Sequence, residues 1–306
     1  MGVGMRAPWS RLVVIPLLFL IACASAPPSC PILYPANTPP RAFLWQVTGT
    51  RGSIILFGTH QSAGKDDVPA EALRDLDAAE VFVAEAREAD ETYDRDPGWR
   101  RALTLPPGQS LMKEMPADDF EDLVDRLGAS SSAVAKMRPW VALGQLIKTA
   151  TTFPAPNMAQ ALSERAEARH LAMEYLDTWS LQMAFLDMVV SVDDLRGALH
   201  DYRNLRCSMT NEVASYRVGE STRVAREKAL PATDADYAKA IAIDKRTDVW
   251  SAKLRTYLDT GRRAFVAIGV SNIVGPHGIA ARLAAAGYTV TRLWSVPRGR
   301  ARYGIW

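Results

Sequence analysis

Between residues 43 and 57 the chain alternates two short apolar runs with a polar break. FLWQVT at 43–48 and SIILF at 53–57 are rich in aromatic and β-branched residues and flank Gly49-Thr50-Arg51-Gly52. That pattern predicts a β-hairpin. The second strand is expected to stop at Gly58-Thr59, where glycine lets the backbone turn and approach a ligand. This puts His60 and Gln61 on a loop at the strand's carboxyl end, where open sheets gather their chemistry. From residue 68 the spacing becomes helical, with Pro69 suited to a first turn, and residues 80–84 return to strand. Glu85 is thereby delivered to the same edge as His60.

Downstream the pattern is mainly helical. Pro106-Pro107-Gly108 and Met115-Pro116 punctuate it, residues 118–127 form a short helix, and 130–132 read as a break. Pro139-Trp140 opens a further helix that closes near 153–156, and residues 158–168 form another. HLAMEYLD at 170–177 reads as a third main strand. In the helix that follows, Leu181, Phe185, Met188, Val192, Leu195 and Leu199 recur at helical spacing, which predicts a core stripe. The polar stretch 204–229 mixes arginines with acids and predicts a solvated face. Thr233-Asp234-Ala235-Asp236 resembles a capping box and starts a long helix to Leu258. Gly261 ends it, RAFVAIGV at 263–270 is a strand, 279–286 a helix closed by Gly287, and 288–294 a final strand. Together these elements predict an α/β (α+β) fold: a central mixed sheet of about six strands flanked by helices, with a large helical insertion between residues 110 and 258.

The amino terminus changes the picture. Arg6 and Arg11 precede an apolar run at 12–21, too short to span a bilayer comfortably, and then Leu20-Ile21-Ala22-Cys23. This reads as a lipoprotein signal peptide over 1–22 with Cys23 carrying the lipid; the alternative is a plain signal peptide cut elsewhere, or an anchor. Acyl chains would hold the protein to a membrane in the cell envelope without threading it through. Residues 23–41 are proline-dense and read as a tether, 42–297 as the folded domain, and 298–306 as a tail. Removing 22 residues from 306 leaves 284, enough for one large domain. Loss of Arg6 and Arg11 from the 36 basic residues balances the 34 acidic ones, so nothing attracts nucleic acid. Cys30 and Cys207 could pair in an oxidising compartment, or remain two thiols.

Three elements of the opening, LWQV at 44–47, FGTHQ at 57–61 and VFVAE at 81–85, resemble the TraB/GumN family, also called TIKI-like proteins. That family has an LW-x-V strand, a Gly-Thr-x-His motif and a Val-x-Val-x-Glu strand. Arg138-Pro139-Trp140 is similar to a Pro-Trp of the family, Leu176-Asp177-Thr178 to its Leu-Glu-Thr, and Arg246 to the arginine of an Arg-Asn-x-x-Trp element. The most specific likeness is FVAIG-x-x-N-IVGPHG at 265–278, against FVAVG-x-x-H-LVG in the family. Two departures stand out. Gln61 occupies the first histidine position, with His60 one place early, and Asn272 occupies the second, with His277 beyond the turn.

The resemblance implies a metal-dependent hydrolase, with peptidase activity in some members. On that expectation Glu85 is the base, Arg246 steadies substrate or developing charge, and His60, Asp177 and Asn272 are the ligands of a manganese, cobalt or zinc ion. Gly58, Thr59, Gln61 and His277 would line the substrate site. An amide oxygen is a weaker ligand than imidazole for zinc and suits harder ions. The alternative is a catalytically degenerate relative, in which Gln61 and Asn272 hydrogen-bond a peptide or an envelope partner in the same cleft.

Overall fold

A computed structural model describes residues 43–87, 97–220 and 234–293. The signal segment, the tether, the tail and Thr233 of the expected capping box lie outside these residues. Two strands open the chain, β1 (Phe43–Thr48) and β2 (Ser53–Thr59), joined by the expected hairpin, in which the Gly49 N–H donates to the Gly52 carbonyl at 2.8 Å. Then come α1 (Ala70–Asp77) and β3 (Val81–Ala84). Helices α2 (Pro97–Leu103), α3 (Leu111–Glu114), α4 (Ala117–Leu127), α5 (Ser131–Val134), α6 (Pro139–Ala150) and α7 (Met158–Ala168) lead to β4 (Ala172–Tyr175). After it come α8 (Trp179–Val189), α9 (Val192–His200), α10 (Tyr202–Arg217) and α11 (Asp234–Thr260). The chain finishes with β5 (Ala264–Gly269), α12 (Val270–Ile273), α13 (Ile279–Ala285) and β6 (Thr289–Arg292).

The six strands form one mixed sheet in the order β4-β3-β5-β2-β1-β6. β4, β3, β5 and β2 run parallel, whereas β1 is antiparallel to both β2 and β6. Three of the parallel strands, β2, β3 and β5, read as almost unbroken apolar runs and are largely buried, as strands inside a parallel sheet are, whereas β4 at the edge is half-exposed. Phe57, Phe82 and Phe265 are fully buried on three neighbouring strands, and their rings touch, Phe82 stacking on Phe265 at 6.3 Å. β5 starts and β6 ends in one sequence unit at the carboxyl end, yet β5 lies in the middle of the sheet. The amino- and carboxyl-terminal motifs are therefore side by side, with Gly58 opposite Ile268 and Thr59 opposite Gly269.

A second apolar cluster is wholly helical. Leu111, Phe120, Leu123, Val134, Leu146, Leu195 and Leu199 bury one another among α3, α4, α5, α6 and α9, away from the core under the sheet. The insertion thus has its own core.

Four expectations need correction. Gly58 and Thr59 belong to β2 and do not form a turn; a side chain at Gly58 would lie 2.9 Å from Phe43 and Val270, so glycine serves close packing there. The break expected at 130–132 falls at 128–130, and Ser130 ends it by capping α5, its hydroxyl accepting the Ala133 N–H at 3.3 Å. The apolar stripe is divided between α8 and α9 by a Ser191–Asp194 capping box, and only Leu195 and Leu199 are buried; Leu181 and Met188 are 58% and 60% exposed. Finally, α10 is not a solvated face over its length, because Met209, Asn211, Ser215 and Tyr216 are buried.

Candidate functional site

The carboxyl ends of β2, β3 and β5 open onto a cleft of about 620 Å³, walled by α7, α8, α10 and α11. The position follows from topology: parallel strands all end at the same edge, and the loops that leave them diverge there. Glu85 lies just past β3, and its Oε1 accepts two hydrogen bonds, from the Gly269 N–H at 2.6 Å and from the Asn272 amide at 3.2 Å. A carboxylate is the only acceptor in that pair, so the Asn272 nitrogen must face it and its Oδ1 turns away. Gly269 packs closely here, since an added Cβ would come within 3.1 Å of Glu85 Oε1 and oblige that side chain to shift.

Arg246 enters from α11. Its guanidinium lies between the rings of Phe185 at 4.3 Å and Trp250 at 4.0 Å. Its Nε donates to Asp177 Oδ2 at 2.9 Å, an Nη donates to the Gln182 side-chain oxygen, and Glu85 Oε2 is 3.7 Å away. Asp177 is held in turn: its Oδ1 accepts the Trp250 indole N–H at 3.0 Å. Both aspartate oxygens are therefore occupied, and the capping of α8 is done by Thr178, whose hydroxyl accepts the Leu181 N–H at 3.3 Å. Such a network fixes Arg246 as a rigid donor rather than a mobile surface cation.

His60 sits on the opposite wall. Its Nδ1 accepts the Ser62 N–H at 3.2 Å, which leaves the proton of the neutral ring on Nε2, 3.8 Å from Glu212 Oε2. Burial pushes its pKa down to about 4, against the opposing pull of Asp67. The ring is thus uncharged at neutral pH, and its contact with Glu212 is that of a dipole with a carboxylate. Beneath it, Tyr216 donates its hydroxyl to the Gly58 carbonyl at 2.6 Å, and burial drives that hydroxyl's pKa far upward. Asp67 accepts from Gly64 N–H at 2.9 Å and from Arg217 Nε at 2.6 Å, pinning the loop that carries His60 and Gln61.

Of the residues that the sequence singled out, Thr59, His60, Gln61, Glu85, Arg246 and Asn272 line this one cleft. Gly58 lies beneath it in the strand. Asp177 stands behind Arg246, and His277 is 77% exposed beside Asp244 at 3.8 Å; neither is among the lining residues. Cys207 on α10 is disulfide-bonded, and both other cysteines lie outside the described residues. Sequence reasoning missed Asn157, Ser163, Gln182 and Glu212, which also line the cleft. The spacing of Met209, Glu212 and Tyr216 on α10 carried a faint signal of an inward face; Gln182 and Ser163 carried none.

A family model described as TraB/PrgY/gumN matches residues 43–292, which is nearly all of the described fold. The chain belongs to the TraB/PrgY/gumN family. No curated protein and no solved structure matches it. The matched span runs from the first residue of β1 to the last of β6, so the family corresponds to the whole sheet and the helical insertion between its strands.

The donor set can be weighed against the metal that the family resemblance implies. A divalent site needs several lone pairs converging on one point. Asp177 stands behind Arg246, holding it and the Trp250 indole, and the guanidinium lies beside Glu85, where it would repel a cation. No group of three His, Cys, Asp or Glu side chains suited to a metal occurs among the described residues. His60, Asp177 and Asn272, as arranged, do not fit a divalent ion.

Proposed function

We propose that this member of the TraB/PrgY/gumN family is a binding protein, which holds a polar, amide-bearing ligand of the envelope in the cleft between Glu85, Arg246 and His60. One observation carries this reading: the amide of Asn272 donates to Glu85. At the position where the resemblance expects a second histidine, the chain has a group that completes a hydrogen-bond network around the carboxylate. With two N–H donors on Oε1 and a guanidinium near Oε2, Glu85 is already compensated without a metal. Its partners are fixed, which favours binding a ligand in one orientation.

A metal-dependent hydrolase acting on a peptide is the second reading, and it rests on Glu85 and neutral His60 lining the same cleft. Elemental analysis of purified full-length protein after exposure to micromolar manganese, cobalt and zinc separates the two. The binding reading expects no stoichiometric ion and no cleavage of a mixed peptide library. A bound ion together with cleavage would replace it with the hydrolase.

The lipid anchor on Cys23 belongs to the same proposal and is supported by the Leu-Ile-Ala-Cys run at 20–23. It would hold the cleft near an envelope membrane. Intact mass of the membrane-extracted protein should exceed that of the chain from Cys23 by the acyl groups, and Cys23→Ser should abolish the difference.

A further inference from the structure

The apolar surface that the fold leaves uncovered is concentrated on two helices. Of the six large hydrophobic side chains exposed among the described residues, four stand on α8 and α11: Leu181, Met188, Ile241 and Val249. On α8 the exposed Leu181, Ala184 and Met188 are spaced by three and four residues, and on α11 the exposed Ile241, Lys245 and Val249 by four, so each set forms one stripe. The helices pack antiparallel: Lys253 donates to the Leu176 carbonyl, Trp250 to Asp177 and Arg246 to Gln182, and the Arg246 guanidinium lies over Phe185. The packed positions are thus Gln182 and Phe185 on α8 and Arg246 and Trp250 on α11, and on both helices the exposed stripe sits one residue before them. In an antiparallel pair the same offset turns both stripes to the same side. They make one apolar surface with Lys245 in it. The acids beside it are engaged elsewhere, Asp187 by Arg138 and Asp244 and Asp248 by Arg282.

The place of this surface in the fold identifies its occupant. α11 joins the core under the sheet from Trp250 onward, through Leu254, Tyr257 and Leu258, and turns at Gly261 into the start of β5. Its N-terminal half therefore lies toward the carboxyl ends of the strands, where α8 begins after β4. Phe43, opposite Gly58, starts β1 at that same end, so the segment from Cys23 enters the fold there. Twenty residues lead from Cys23 to Phe43, at most about 70 Å when extended. A tether of that length holds a domain to a bilayer without orienting it. We infer that the α8–α11 stripe orients it, by lying on the anionic lipid surface that holds the Cys23 acyl chains. Leu181, Met188, Ile241 and Val249 enter the boundary between headgroups and acyl chains, and Lys245 meets lipid phosphate. This rests on the lipid anchor proposed above. A second copy of the chain fits less well: four side chains about half exposed offer roughly 400 Å², about half of the ~800 Å² per partner of a stable interface. The cleft opens at the same end of the sheet and is thereby held beside the membrane.

The test places a thiol-reactive, polarity-sensitive dye at Met188→Cys or at Thr50→Cys, which lies in the hairpin turn at the opposite end of β2. Each full-length variant is put into vesicles of phosphatidylethanolamine and phosphatidylglycerol, with and without a nitroxide-labelled lipid that quenches the dye. The unsubstituted protein, treated identically, supplies the blank. Quenching at position 188 should exceed that at position 50 by about three-fold or more, with a blue-shifted emission. Adding Leu181→Glu and Ile241→Glu, both at exposed sites that leave the core intact, should abolish the difference. Equal quenching at the two positions, or stronger quenching at position 50, overturns the inference. A blue shift at 188 that grows with protein concentration and is not quenched by the labelled lipid marks a second copy and also overturns it. Intact mass reads the anchor separately: lipid on Cys23 with equal quenching removes the stripe alone, whereas a chain without lipid removes the anchor reading and the stripe with it.

Discussion

Asn272 donates its side-chain amide to Glu85 Oε1 at 3.2 Å, joining residues that are 187 positions apart in the chain. The contact exists because β3 and β5 are parallel neighbours, so the residues just beyond their carboxyl ends meet. It converts what the sequence presents as a defect, an amide where the resemblance expects imidazole, into part of an ordered polar floor. Asn272→His should therefore disturb the floor: imidazole cannot reproduce both amide geometry and volume beside Gly269. Thermal melting should show a loss of about 1–2 kcal/mol, the range of a lost hydrogen bond and mild overpacking. An unchanged melting temperature would mean that the Glu85 contact contributes little.

Gly269→Ala probes the same carboxylate from the other side. The new Cβ would press on Glu85 Oε1 from 3.1 Å, so the side chain must give way by a few tenths of an ångström. The backbone at Gly269 has an ordinary φ of −52°, so strain is not the cause. A modest stability loss of about 1 kcal/mol with a clear fall in affinity for a cleft ligand is expected; titration calorimetry of the variant checks it.

Asp177 and Arg246 are nearly enclosed, with side chains 9% and 13% exposed. Removing one member strands the other. Asp177→Ala should lower stability by about 3 kcal/mol, because the guanidinium and the Trp250 indole N–H both lose an acceptor. Denaturant unfolding measures this, and a loss below about 1 kcal/mol would show that water replaces the carboxylate without cost.

The pKa of His60 near 4 has a defined effect on stability. Its folded value lies below the ordinary 6.5, so the unfolded chain binds the proton more readily. Stability should be full above pH 6.5, fall as pH drops through the window from about 6.5 to about 4, and lose no more from this group below it. His60→Gln should flatten that part of the curve. An NMR titration that finds the ring protonating near 6.5 would contradict the burial.

Tyr216→Phe removes the donor that satisfies the Gly58 carbonyl within the core. An orphaned buried carbonyl costs about 1–3 kcal/mol, which should appear as a lower melting temperature without loss of secondary structure.

How much was legible in the sequence differs between sheet and site. All six strands were readable because the central ones are buried on both faces and remain continuously apolar, while glycines mark their ends. Clustering of His60, Glu85 and Asn272 followed from the same reading, since strand ends are ordered by topology. The division of the apolar stripe between α8 and α9 was hidden, because Ser191 looked like one polar residue within a helical pattern rather than a cap. An aspartate before a helix fits a cap locally as well as a site carboxylate, and only the approach of α11 shows Arg246 and Trp250 claiming Asp177. Gln182 and Glu212 face the cleft from helices whose placement depends on a second core, and no local pattern encodes that.

The most direct test of the account is the affinity of purified full-length protein for manganese, cobalt and zinc, measured by titration alongside His60→Ala. A cleft whose carboxylate is already satisfied by Gly269, Asn272 and Arg246 should retain no stoichiometric ion at micromolar free metal, with the two proteins indistinguishable. One tightly held ion per chain that disappears in His60→Ala would contradict it.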